Sequence, residues 1–463
     1  MIRHFENRFS TPLLLSLILI FAAYFRINTF WVSHTSTDEF HYLALALKLD
    51  ECGLDGYNIR YVDYESFTFD DKSVITEIKT CPDSIGRLLK DMYKKGRGYY
   101  DNPLYNNSPA LPYLLMFSQK TIGGNYGFFV GATQPAKRVI ENKPEDVYKA
   151  QFYATLWPVL FSIVFVLLTF LAGKVLFNTA TGLIAAFLMA ADPVSILTSS
   201  KIWADEMSGV FVLISVIFFV SGYFRNRYWY GLLAGITGGV AVLFKQTAGF
   251  YIIAVVVFHF WHSRYELFNF KGTLKTVFHP FMILMALGFS VSSGFWFIKV
   301  YSVYGEFIHK YMPGPEVKDA FRTIRMQRPP SIFIHTLGLL YISPFFVFSI
   351  FTLFKNIRKK LNKTEKETVV FLWIWILFYI IILWVFFNGK EQRYFLPAHP
   401  AMAILSAHIL NSLRNYLNKL KFGWQIITGN EIIVLLLLIN ARWAIPVGIE
   451  AVNTGSVLIL TPF

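Results

Sequence analysis

Residues 11–31 read TPLLLSLILIFAAYFRINTFW, and after Val32 the chain continues over residues 33–53 as SHTSTDEFHYLALALKLDECG. The first run is apolar for about 20 residues, the length that carries a helix across the hydrocarbon of a bilayer. With no small-residue cleavage site behind a short apolar core, it is read as a retained span and not as a removed signal peptide. The second run places Asp38 and Glu39 side by side, opening a helical stretch that carries Tyr42, Ala46 and Leu49. Two adjacent carboxylates thus stand just past a membrane exit, in a chain of formal net charge +14.

Composition extends the membrane reading to the whole chain. Of 463 residues 55% are hydrophobic, 47 are Phe, and only 16% are charged, against about 25% charged in soluble domains. Apolar runs predict an all-α polytopic membrane protein of about eleven transmembrane helices. They lie near 11–32, 151–173, 179–198, 206–224, 228–244, 247–262, 277–299, 331–354, 368–387, 394–411 and 431–449. The basic residues follow topology, which argues against a nucleic-acid partner. One side holds Arg225 and Arg227, then Arg264, Lys271 and Lys275, then the run from Lys355 to Lys366; the short turns opposite hold only Lys201, Lys245, Lys390 and Arg393. By the positive-inside rule the first side is cytoplasmic. The expected organisation is then a first helix (1–32), a large first extracytoplasmic loop (33–150), helices two to seven (151–299), a second outer loop (300–330), helices eight to eleven (331–449) and an outer tail (450–463).

The first loop contains the acidic motif, a strand-like alternation over Tyr57–Phe69, a helical piece near Asp83–Lys95, and an amphipathic run Pro109–Ile122 that reads as a helix lying in the interface. It also holds both cysteines, Cys52 and Cys81, which an oxidising compartment would allow to pair; two free thiols fit the spacing equally. The second outer loop is basic and ends in Arg322, Arg325 and Arg328. No internal repeat relates the two halves, which disfavours a transporter built on inverted repeats.

The candidate chemistry lies at outer span ends. Asp38 and Glu39 follow Ser36-Thr37 as a capping box would, and they equally suit a general base tuned by partial desolvation. Lys201-Ile202-Trp203-Ala204-Asp205-Glu206 brings a second acidic pair to the same face. Lys245 and Arg393 are outward cations beside apolar flanks. Each is either a snorkelling anchor or a phosphate ligand, costly so close to hydrocarbon. Arg26, His41 and Tyr42 are further pocket candidates. No pair of histidines has ligand spacing on a short segment, so a divalent metal bound by the carboxylates stays open. No phosphate-binding glycine loop or nucleophile elbow occurs. Carboxylates that activate a nucleophile, facing cations that hold a leaving phosphate, suit group transfer from a lipid-linked phosphate.

Taken together these motifs resemble the C-type (GT-C) membrane glycosyltransferases, of the protein O-mannosyltransferase and lipid A aminoarabinose transferase kind. Asp38-Glu39-Phe40-His41-Tyr42 with Gly53 is similar to the acidic motif after the first span, and Asn107-Ser108-Pro109-Ala110-Leu111-Pro112 to the proline–leucine run. Asp205 resembles the second acidic position; Gly231 to Gly235 with Lys245 looks like the glycine-rich fifth span; Arg393-Tyr394-Phe395-Leu396-Pro397 looks like the Arg-Tyr-x-x-Pro element. The chain departs from some relatives in having Asn107 and Ser108 where they carry a basic residue.

The resemblance implies a GT-C-like fold and an inverting transfer of sugar from a polyprenyl-phosphate donor to a glycan, lipid or protein acceptor. Asp38 with Glu39 would form the catalytic pair, Asp205 with Glu206 a second acidic site, and Lys245, Arg393 and Tyr394 the donor-phosphate site. It implies action at the extracytoplasmic face of a bacterial plasma membrane. The competing reading is a transporter or flippase of a lipid-linked anion, which calls for ionisable residues at span centres; a non-catalytic scaffold is the third.

Overall fold

The computed structural model describes residues 2–29, 37–58, 108–122, 145–304, 344–354, 361–386, 392–419 and 428–454, and among these all regular structure is helical. The chain begins with α1 (Ile2–Thr29) and α2 (Thr37–Cys52), the latter closed by a 3-10 turn, Gly53–Asn58. There follow α3 (Ala110–Thr121), α4 (Glu145–Leu176), α5 (Thr179–Ala190), α6 (Pro193–Ser199), α7 (Asp205–Tyr223), α8 (Trp229–Phe244) and α9 (Gly249–His262). A short α10 (Phe270–Val277) leads into α11 (Pro280–Tyr304), and the chain ends in α12 (Lys363–Phe386), α13 (His399–Leu417) and α14 (Gly429–Thr454).

Among the described residues five helices are long and apolar enough to cross a membrane, or six if α5 and α6 count as one bent span; α8, the segment Gln246–His262 and the 3-10 stretch Pro344–Leu353 are shorter apolar pieces. Two expected spans take a different form. The run 179–198 is bent by 59° between α5 and α6. Asp192 there caps α6, accepting from Ser195 N–H at 3.1 Å, and Pro193 fills the first helical position, where a missing N–H costs nothing. The span expected from 394 starts as a 3-10 turn, Gln392–Ala398, and becomes α-helical only at His399, with Pro400 in its first turn. The strand-like reading of 57–69 meets the described residues only at Tyr57 and Asn58; the remainder, the helical piece near 83–95, Cys81, and the arginines of the second outer loop lie outside them.

Glycines set the closest helix approach. A Cβ on Gly235 of α8 would lie 2.0 Å from the Met285 carbonyl oxygen of α11, and one on Gly288 of α11 would lie 2.3 Å from that of Leu232. Small residues let two backbones meet where lipid offers no hydrophobic drive. This seam fixes α8, and with it Lys245 at its C-terminal cap.

A large apolar core joins α4, α5, α7, α8, α9, α12 and α13. A second cluster docks the first loop onto one end of that bundle. In it, Leu43, Leu45, Ala46 and Leu49 of α2 and Leu111 and Leu115 of α3 meet Ile202, Met207, Phe244 and Trp296. Tyr57 packs edge-on against Trp296, centroids 5.0 Å apart, and Ser108 Oγ donates to the Val242 carbonyl at 3.0 Å. A surface ion pair, Lys120–Asp50, ties α3 to α2. Cys52, at the end of α2, is disulfide-bonded, and the chain's one other cysteine is Cys81.

Candidate active site

The joint from α6 to α7 is buried throughout, and residues 191–210 include no exposed or half-exposed position. Backbone in such a place must find internal partners, and side chains supply several. Glu39, 1% exposed in the first turn of α2, accepts from the Ile202 N–H at 2.8 Å. The acidic motif of the first loop is thereby latched to the joint that carries Trp203 and Asp205. The side chains of Asp38 and His41 lie outside the described residues; the backbone of both belongs to α2. Tyr42 sits in the apolar cluster beneath α2.

Asp205 and Glu206 open α7 and, one residue apart, point about 100° away from each other. Asp205 is ion-paired with Lys245. Lys245 in turn holds its Nζ 4.5 Å from the centroid of the Tyr394 ring. Arg393 lies over the Trp203 ring, its Cζ 3.9 Å from the ring centroid, and 5.1 Å from that of Tyr394. Three segments far apart in sequence therefore meet at one end of the bundle: the start of α7, the end of α8, and the turn before α13. Lys245, Arg393, Tyr394 and Asp205, each singled out from sequence, form one cluster. Cation–π contacts of this kind contribute about 0.5–2 kcal/mol each. Arg393 also donates from Nη2 to the Tyr394 hydroxyl at 3.4 Å.

Glu206 turns the other way and joins a second network. Its Oε1 accepts from Ser195 and Thr198 hydroxyls at 2.8 Å and from Ser162 at 3.2 Å. Arg26 of α1, fully buried, donates into the same hydroxyl set through Ser162 Oγ and, at 2.8 Å, Ser195 Oγ. It also donates to the carbonyls of Ala22, Ala190 and Met189 at 3.0–3.2 Å. The expected pairing of Asp205 with Glu206 in one acidic site is thus divided between two networks, and Arg26 belongs to the inner one. Arg442 is exposed on α14.

Sequence reading passed over Trp203, Asp192 and His399. The last two are fully buried and joined, Nδ1 of His399 to Oδ2 of Asp192, at 2.9 Å. The available signal was local: Asp192-Pro193 and His399-Pro400 are both helix-start pairs, lying within runs read as continuous spans. Among the described residues no group of three His, Cys, Asp or Glu is placed to hold a metal ion.

Residues 148–296, which contain Asp205, Glu206 and Lys245, match a family model described as dolichyl-phosphate-mannose-protein mannosyltransferase. A curated but uncharacterized protein of Aquifex aeolicus (strain VF5) is 26% identical over 249 residues; that match takes in 53% of this chain and 46% of the other, so the chain spans under half the length of this relative. Among solved structures, apo ArnT from Cupriavidus metallidurans superposes with a TM-score of 0.53 at 13% identity, covering 96% of this chain and 75% of that one. The undecaprenyl phosphate complex of ArnT gives 0.51 at 13% identity with the same coverage. The archaeal oligosaccharyltransferase AglB from Archaeoglobus fulgidus, in complex with an inhibitory peptide and a dolichol-phosphate, gives 0.52 at 13% identity, covering 98% of this chain and 56% of that one. At such identity the likeness is one of fold, and it extends over nearly the whole chain.

Proposed function

We propose that this integral membrane protein is a glycosyltransferase that takes a sugar from a polyprenyl-phosphate donor and passes it, with inversion, to an acceptor hydroxyl or amine at the extracytoplasmic face. One observation carries the reading. Lys245 and Arg393, 148 positions apart in the sequence, converge on Tyr394 and Trp203 beside Asp205, and two cations brought together at one end of the bundle suit a lipid phosphate. The family match over 148–296 points the same way.

In this reaction Asp38 removes the proton of the acceptor, whose heteroatom attacks the anomeric carbon from the face opposite the phosphate. The bond from that carbon to the phosphate oxygen breaks, and polyprenyl phosphate leaves with the electron pair. Lys245 and Arg393 neutralise the charge that develops on it, the kind of fixed electrostatic help that enzymes use most. Glu39 holds the helix that presents Asp38, and Asp205 sets Lys245. The placement of basic residues at the other ends of the spans supports the outer face, as does the disulfide at Cys52.

The transport alternative calls for charges at midspan. Of the seven buried Asp, Glu, Lys and Arg residues among those described, six (Arg26, Glu39, Lys201, Asp205, Glu206 and Arg393) lie near an end of α1, α2 or α7 or in the turns before α7 and α13, and Asp192 alone stands at the break inside the bent run 179–198.

The test is turnover of the purified protein in detergent with a panel of polyprenyl-phosphate sugars. Wild type is expected to release free polyprenyl phosphate, and Asp38→Asn to slow release by about a hundredfold or more while remaining monodisperse. Undiminished release by Asp38→Asn removes Asp38 as the base. Saturable binding of a donor with no release by wild type shifts the assignment to transport.

A further inference from the structure

The pair Asp192–His399 touches none of the groups assigned a chemical role, yet it closes a frame around them. From Asp192 the chain runs along α6 to Trp203. From His399 it runs back through the 3-10 turn Gln392–Ala398 to Arg393. The two arms meet again where Arg393 stacks on Trp203 at 3.9 Å, so one contact stands at each end of the frame. The carboxylate can only accept, which places the shared proton on Nδ1 of His399. The same Oδ2 accepts the Ser195 N–H that starts α6. Phe346 and Phe395 lie edge-on to the imidazole, with centroids 5.4 and 5.8 Å away, and fix its plane.

Filling the space between those rings requires only an apolar side chain. Burying an imidazole against a carboxylate is costly by comparison, and the established use of such a pair is to set register between elements. We infer that His399 is a positioning residue, whose bond to Asp192 sets where the turn before α13 presents Arg393 to the lipid phosphate. This rests on the phosphate reading of Lys245 and Arg393 given above.

The experiment measures equilibrium binding of undecaprenyl phosphate to the full-length protein in detergent, together with gel filtration and thermal unfolding of every variant. Wild type should bind, and Arg393→Ala should bind more weakly. At position 399, Asn can place its amide near Nδ1 and Gln near Nε2. His399→Asn should therefore stay within about threefold of wild type, while His399→Gln and His399→Ala lose about tenfold, as expected for one hydrogen bond to a charged group. In the Arg393→Ala background His399→Gln should add less than about twofold, because coupled residues are not additive. Equal binding by Asn and Gln variants overturns the inference, as does a His399→Gln loss that persists in full without Arg393. If His399→Ala does not fold, the Asn–Gln comparison still decides. If wild type itself does not bind undecaprenyl phosphate, the phosphate reading falls, and its positioning corollary with it.

Discussion

Arg26 and Arg393 have the same side chain, the same near-complete burial and opposite surroundings. Arg26 has hydroxyls and carbonyls around its whole guanidinium; Arg393 lies between aromatic rings. The first therefore holds structure, and the second is the one proposed to meet the donor phosphate. Arg26→Ala removes a donor shared by three carbonyls and two hydroxyls, and with it a cation beside the buried Glu206, and should cost roughly 3–5 kcal/mol of stability, read as an earlier thermal unfolding transition in detergent. Arg26→Lys should recover only part, since one ammonium cannot reproduce a planar set of five donors. Arg393→Ala should instead raise the donor KM about tenfold or more, with kcat at saturating donor changed only a few-fold. A fall in kcat at unchanged KM would move Arg393 from donor binding to the chemical step. Charge at span ends was legible in the sequence, and it found Lys245, Arg393 and Asp205, while Tyr394 entered through the motif that follows Arg393. Which network each charge serves was not legible, because Asp205 and Glu206 differ only in helical phase and in what stands opposite each of them.

Among elements, the α8–α11 seam makes the sharpest demand on sequence. Gly235→Ala forces a methyl group against the Met285 carbonyl and should cost about 1–3 kcal/mol, as overpacking does. Gly294→Ala, on the same pair of helices but with no atom within 4 Å of the added carbon, is the matched control. It should leave the unfolding temperature unchanged or slightly raised. Equal effects of the two would mean that the close approach is not what the glycines provide. The amphipathic reading of Pro109–Ile122 corresponds to α3, which buries Leu111, Pro112, Leu115 and Ser118 and leaves Phe117 exposed. The bend between α5 and α6 escaped a hydropathy reading because apolar side chains continue through it. Only the Asp-Pro pair marked it. Another short element, α10, turns Phe270, Leu274 and Val277 outward, with Lys271 and Lys275 exposed beside them. That pattern suits a helix lying at lipid headgroups.

At the scale of the whole molecule, the seven buried charges among the described residues share one address: each lies within residues 189–206 or contacts them. Arg26 reaches Met189, Ala190 and Ser195; Glu39 reaches Ile202; Arg393 covers Trp203; the other four belong to the segment itself. The membrane class, the first span and the ends bearing charge could be read from composition and period. The convergence could not, since pairs such as Asp192 and His399 are 207 positions apart and leave no local mark. This arrangement also imposes a schedule on synthesis. When the bent segment leaves the ribosome, Arg26 and Glu39 have already been made, whereas His399 is 207 residues away from Asp192, about 10–40 s at ordinary translation rates. Lys245, the partner of Asp205, follows it by 40 residues, so until Arg393 and His399 are translated the joint has Arg26, Glu39 and Lys245 to hold it but not its last two contacts.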